Sequence, residues 1–124
     1  MSRPGLSKGE MEVARQLWQL RKATVREVHE ALQQTRDIDF ATVQTYLRRL
    51  AAKGYVRAQP HGRAHVYSPV IQPRTVIRDT VKDLIDRLFG GNPLPLMRHL
   101  IEDGSLNRDE LDELRRLLDE WEQT

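Results

Sequence analysis

Three observations predict a mainly α chain with one small β-hairpin. Ser7–Glu10, Thr24–Glu27 and Asn107–Glu110 each place a capping side chain three residues ahead of a glutamate, the reciprocal pattern that opens helices. Apolar residues then recur at three- and four-residue spacing, here and in three further stretches. Between them, Tyr55–Ala58 and His65–Ser68 have strand character around the turn Pro60-His61-Gly62-Arg63. The expected order is three helices, a hairpin, a proline-bearing linker and three more helices.

The first helix is expected from Lys8 to Leu20, with Met11, Ala14, Leu17 and Trp18 inward. Arg21-Lys22-Ala23 breaks that pattern. Thr24 caps a short second helix carrying Val25, Val28, Ala31 and Leu32 to about Gln34. Asp39 is the expected N-cap of the third helix, and Gly54 its left-handed C-cap. Val43, Leu47 and Leu50 share one stripe, with Tyr46 at its edge. At about 100° per residue, Ala41, Thr45, Arg48 and Ala52 point the opposite way, flanked by Thr42, Gln44 and Arg49. That outward face has no acid, whereas an ordinary solvated face mixes both charges. Small residues allow close approach to a groove, and Thr, Gln and Arg can reach base edges. Two capped helices joined by a short turn fit a helix-turn-helix, and the hairpin after them makes the order that of a winged helix. Its tip offers His61 and Arg63 to phosphates or a minor groove.

Residues 1–68 therefore read as a winged-helix DNA-binding domain, 69–73 as a linker stiffened by Pro69 and Pro73, and 74–124 as a helical domain. Its first helix, about Arg74 to Phe89, carries Ile77, Val81, Leu84, Ile85 and Leu88 and stops at Gly90-Gly91-Asn92-Pro93. The second, about Leu94 to Glu102, carries Leu96, Met97, Leu100 and Ile101. The third follows Asn107, with Leu111, Leu114, Leu118 and Trp121 in line and Leu117 beside them. Some 50 residues bury three such stripes poorly alone. A second copy of the chain is the expected cover for Ile77, Val81, Leu84, Leu88, Leu96, Leu100, Leu111, Leu114, Leu118 and Trp121. A two-fold homodimer sets two third helices against the half-sites of a palindrome.

Charge divides along the same line. The first 68 residues hold twelve Lys/Arg and six Asp/Glu, the remainder eight and twelve, so +6 is followed by −4 within a net +2. The first part suits a polyanion and the second does not. The absence of cysteine excludes disulfides, thiolate metal sites and a cysteine nucleophile. No apolar run reaches the length of a membrane span and the N-terminus lacks a signal-peptide core, which suits a cytoplasmic protein without membrane insertion. No catalytic constellation is present: the acids between Asp109 and Glu122 read as a solvated face, His61 and His65 lack a carboxylate partner, and Gly90-Gly91 lacks the lysine and hydroxyl of a phosphate loop. Trp18 and Trp121 read as core. No enzyme activity, cofactor or metal is expected. The leading reading is a sequence-specific repressor of double-stranded DNA. The alternative is a winged-helix module whose basic face meets an acidic protein.

Leu6-Ser7-x-x-Glu10-Met11-Glu12-Val13-x-x-x-Leu17-Trp18 resembles the opening of the penicillinase-repressor family of bacterial regulators. Thr24-Val25-Arg26-Glu27-Val28 is similar to the start of that family's second helix, and Ala41-Thr42-Val43-Gln44-Thr45-x-Leu47-x-Arg49-Leu50-x-x-Lys53-Gly54 to its recognition helix and cap. The pattern runs on through Leu88-Phe89-Gly90-Gly91 to the last helix. The resemblance implies a winged-helix repressor, dimeric through its C-terminal helices, on dyad operators often built from TACA/TGTA half-sites. It assigns DNA contact to Thr42, Gln44, Thr45 and Arg49; geometry adds Arg48. Ala41 departs from the polar residue relatives often carry, which bears on half-site preference. Copper-responsive members end in a cysteine metal site, which this chain lacks. Members answering β-lactams are cleaved in the dimerisation domain at an Asn–Phe bond, with a membrane sensor-protease as signal source. His99–Leu100 stands at that position, and the plainer reading of Leu100 is dimer core.

Overall fold

The computed structural model describes residues 3–123. The elements in chain order are α1 (Lys8–Leu20), β1 (Ala23–Thr24), α2 (Val25–Gln33), α3 (Phe40–Ala52), β2 (Val56–His61), β3 (Ala64–Pro69), α4 (Pro73–Phe89), α5 (Leu94–Glu102) and α6 (Arg108–Glu122). Two compact units divide within α4: Met1–Thr80 and Val81–Thr124. Among the described residues no helix is long and apolar enough to cross a membrane.

The capping boxes set the helix starts. Backbone N–H groups of Ser7, Thr24 and Asn107 donate to Glu10, Glu27 and Glu110 at 2.8, 2.9 and 3.0 Å, and the cap side chains accept in return. Asp39 does begin α3, in extended conformation, but its carboxylate accepts no hydrogen bond from the first turn. At the other end Gly54 takes φ +87°, and Tyr55 N–H closes onto the Leu50 carbonyl at 3.0 Å. A side chain there would be strained in that left-handed conformation.

The core of the first unit joins Val13, Ala14 and Leu17 of α1, Val28 and Leu32 of α2, Ile38, and Val43, Leu47 and Leu50 of α3 with Ala23, Val56 and Tyr67 of the sheet. The α3 stripe is as expected. On α1 the inward face is rotated from the expected one: Glu10, Val13, Ala14 and Leu17 are buried, while Met11 and Trp18 are half-buried at its edge. Trp18 packs against the core.

The sheet has three antiparallel strands in the order β1-β3-β2. The sequence suggests only the hairpin. β1 is two residues long and pairs Ala23 with Tyr67 and Thr24 with Val66, too short for any periodicity to show. The hairpin is longer than expected because its turn is tighter: His61 pairs with Ala64, leaving only Gly62 and Arg63 as the loop. Gly62 has φ +63°, as the first central residue of a II′ hairpin requires. Pro60, lacking an N–H, is tolerated because β2 is an edge strand.

α4 begins at Pro73, and its one buried residue is Val76 rather than Ile77, which is 54% exposed. In the second unit, the remainder of α4 is followed by Gly90 and Gly91, both at positive φ, then α5 and α6. No described residue of this unit is buried. Val81, Leu84, Leu88, Leu94, Met97, Ile101, Leu117 and Leu118 are all exposed, and Trp121, expected in a core, is 80% exposed. Leu96, Leu100, Leu111 and Leu114 are half-buried. The second unit thus keeps its apolar faces open.

Candidate nucleic-acid interface

The buried stripe of α3 fixes which side faces out. With Val43, Leu47 and Leu50 at zero exposure, Ala41, Thr45, Arg48 and Arg49 are exposed, and Thr42 and Gln44 are half-buried at the flanks. The outward residues separate onto two shoulders. Gln44 and Arg48 border a cleft of about 520 Å3 that Arg63, Ala64 and His65 of the hairpin, Thr24 of β1 and Val25 and Arg26 of α2 complete. Phe40, Ala58 and Tyr67 form its apolar floor. On the other shoulder Ala41, Thr42, Thr45, Tyr46 and Arg49 surround a shallower depression of about 270 Å3.

Most of the residues picked out from the sequence are therefore brought together, in two groups. His61 is exposed at the base of the hairpin turn and borders neither hollow. Thr24, Arg26 and His65 were not among the expected contacts, yet they line the larger cleft. The capping box marked Thr24 as a helix start only; its place beside the hairpin depends on β1. Strand alternation could have placed His65 on the cleft side.

Charge on this surface is uncompensated. Among the described residues, neither Arg48, Arg49 nor Arg63 is in an ion pair, whereas Arg87, Arg115 and Arg116 of the second unit each pair with an acid three or four residues away. Arg26 is 3.3 Å from Glu30, but both are largely exposed, so the pairing is weak. Arg49 lies over the Tyr46 ring, 6.0 Å from its centroid. The Thr45 hydroxyl donates to the Ala41 carbonyl at 3.0 Å. In that rotamer it offers a groove a lone pair and a methyl group rather than a proton.

Contacts at its two ends set the position of α3. His29 Nε2 lies 2.7 Å from the Ile38 carbonyl, so that nitrogen carries the proton. The same ring meets Phe40 edge-on, centroids 5.7 Å apart, which fixes the turn from α2 into α3. At the far end, Lys53 donates to Glu10 at 2.6 Å and to the Gly5 carbonyl at 2.9 Å, while the Tyr55 hydroxyl donates to the Pro4 carbonyl at 2.6 Å. Burial pushes the Glu10 carboxyl up. Hydrogen bonds from Lys53 and Ser7, with the Lys53 charge, outweigh it and hold the carboxyl below its ordinary value. Burial raises the Tyr55 phenol, so it stays a donor.

The penicillinase repressor family matches residues 6–120. The chain is 38% identical to a transcriptional regulator BlaI of Mycobacterium tuberculosis over 100 residues, 80% of this chain and 71% of that one. It is 29% identical to a penicillinase repressor of Bacillus licheniformis over 117 residues, 94% of this chain and 91% of the other. Among solved structures it is similar to the monomeric form of Bacillus licheniformis BlaI in complex with the blaP half-operator. That likeness has a TM-score of 0.50 and 33% identity, and covers 58% of this chain and 88% of that one. From its sequence and from the three helices and hairpin that build this surface, the chain belongs to the penicillinase repressor family.

Proposed function

We propose that the protein is a sequence-specific DNA-binding transcriptional repressor that acts as a homodimer on palindromic operators. The observation that carries this reading is the outward face of α3. Its arginines are free of acids, its residues beside the helix axis are small, and it borders a cleft whose far wall is the hairpin. Thr42, Thr45 and Arg49, on Ala41's side, and Gln44, beside Arg48, are the base-reading candidates. Arg48, Arg63 and His61 are phosphate contacts, with Thr24, Arg26 and His65 added to them. The solved half-operator complex of a 33% identical relative supports the reading as a DNA-binding protein.

The test is titration with DNA recovered by the protein from a random duplex pool. The expected outcome is a dyad-symmetric site, bound in preference to random duplex at physiological salt and more weakly as salt rises. Arg49→Ala costs about 1–3 kcal/mol and relaxes preference at one base position in each half-site. Arg63→Ala lowers affinity evenly across sequences and flattens the salt dependence by about one unit of slope. Equal binding to random and selected duplex would sink the reading.

The homodimer forms, on this proposal, through the open apolar faces of α4, α5 and α6, and the protein works in the cytoplasm. His99–Leu100 is the candidate bond for release through a membrane sensor-protease, beside the plainer reading of Leu100 as dimer core. That bond lies inside α5, where His99 is exposed and within 3.3 Å of Asp103 and Leu100 is half-buried. A protease takes its substrate extended, so α5 must open locally first. Limited proteolysis followed by mass measurement tests this: a first cut elsewhere in the second unit rejects His99–Leu100 as the bond.

A further inference from the structure

We infer that Gly9, on α1, is a positioning residue for DNA reading: it seats the Tyr46 ring, and the ring in turn holds Arg49 on the reading face. The inference rests on the proposed function above. Gly9 is the second residue of α1, where glycine costs helix stability relative to alanine. Its backbone is ordinary; the residues of positive φ are others. What glycine supplies here is space. A Cβ on Gly9 would come within 2.7 Å of Tyr46 Cε2, and nearer still to Cζ and the hydroxyl. Real Cβ atoms do not approach so closely. The hydroxyl end of the ring lies so close to the α1 backbone that no side chain fits between them.

Tyr46 occupies the edge of the α3 stripe, half-buried against the core. Its other side borders the hollow with Ala41, Thr42, Thr45 and Arg49. Arg49 lies three residues on, one helical turn along the same edge, with its guanidinium carbon 6.0 Å from the ring centroid. No carboxylate among the described residues holds Arg49, so the ring is what narrows its range. A guanidinium stacked this way keeps its N–H fork free for a base edge or a phosphate. The cation–π attraction at such an exposed site is modest, so the expected effect on affinity is modest too, and it should pass entirely through Arg49.

The experiment uses the full-length protein and four variants: Gly9→Ala, Tyr46→Leu, Arg49→Ala and Gly9→Ala with Arg49→Ala. Two quantities are measured. One is the NMR shift of the Arg49 δ-protons in the free protein, which the ring current of a stacked tyrosine displaces. The other is affinity for the selected duplex. Gly9→Ala is expected to return the Arg49 shift toward the random-coil position and to weaken DNA binding about threefold, with a lower melting temperature because the displaced ring gives up packing against the core. Tyr46→Leu should give the same two changes from the other side of the contact. In the Arg49→Ala background, Gly9→Ala should change affinity no further.

An Arg49 shift that Gly9→Ala leaves in place would overturn the seating. A shift lost with affinity unchanged, or an affinity loss that persists undiminished without Arg49, would overturn the link to DNA. If the wild-type protein prefers no duplex, it is the proposed function that fails, and the role in DNA reading with it. The NMR measurement still decides the seating of the ring.

Discussion

Replacing Lys53 by methionine is expected to cost about 3 kcal/mol of stability at neutral pH. Glu10 is 2% exposed and Lys53 26%, with 2.6 Å between Nζ and Oε1. Removing one partner of such a pair leaves the other's charge stranded, for which losses of about 3–5 kcal/mol are ordinary. The lower end applies because Ser7 still donates its N–H to the carboxylate. In a small domain that is a fall in melting temperature on the order of 10 °C or more. Glu10→Gln should cost less, since the amide oxygen can keep the bond from Ser7 and Lys53 can turn to solvent. The pH dependence separates this account from simple loss of packing. The folded carboxyl sits below its ordinary value of 4.5, so its contribution is full above that value and is lost as pH falls through the folded one. In Lys53→Met the cation's contribution is gone and Ser7 alone opposes burial, so acidification weakens the variant less than it weakens the wild type. The gap between the two melting curves should narrow as pH falls below 4.5 and through the folded value. A gap that stays constant would show that Glu10 is not the group responsible.

That pair also shows where sequence reading stops. Glu10 was legible as the third residue after a helix cap, because capping is local and the spacing is fixed. Its second role, as the buried anchor of the end of α3, joins residues 43 apart, and no local pattern contains that. The same division runs through the fold. Helix starts at Ser7, Thr24 and Asn107 were readable, and so was the Val43–Leu47–Leu50 stripe, whose period is set by one helix alone. The rotation of α1 toward Val13 and away from Met11 is decided by what α2, α3 and the sheet leave room for. β1 exists because β3 runs beside Ala23 and Thr24, not because two residues prefer a strand. At the interface, the outward set on α3 followed from the stripe. Arg26 could be placed at the cleft only once the chain had folded α2 against the hairpin, whereas His65 shares the face of Tyr67 by strand alternation.

In the homodimer proposed above, Leu118→Lys is expected to separate the two copies and to weaken operator binding by about 100-fold or more. The chain alone gives the substitution nothing to disturb: Leu118 is 56% exposed, and no described residue of the second unit is buried. α6 has acids in its first turn and no basic residue in its last. A lysine near its C-terminal end therefore suits the helix dipole, and circular dichroism should show the helices kept. Leu84→Lys, 41% exposed on α4, is the companion variant. At a two-fold interface each change counts twice. A charge buried on both sides costs several kcal/mol, so the dimer constant should weaken by about 1000-fold or more. Sedimentation equilibrium reads that directly. Two linked reading domains gain about 10²–10⁴ in affinity over one, through effective concentration. The monomeric variant should therefore lose affinity for the whole palindrome while binding a single half-site as the wild type does. Loss at the half-site as well would mean that the second unit supports α3 rather than pairing two copies of it. An unchanged dimer would place the interface away from Leu118 and Leu84, on the α5 side of the unit where Met97 and Ile101 are also open.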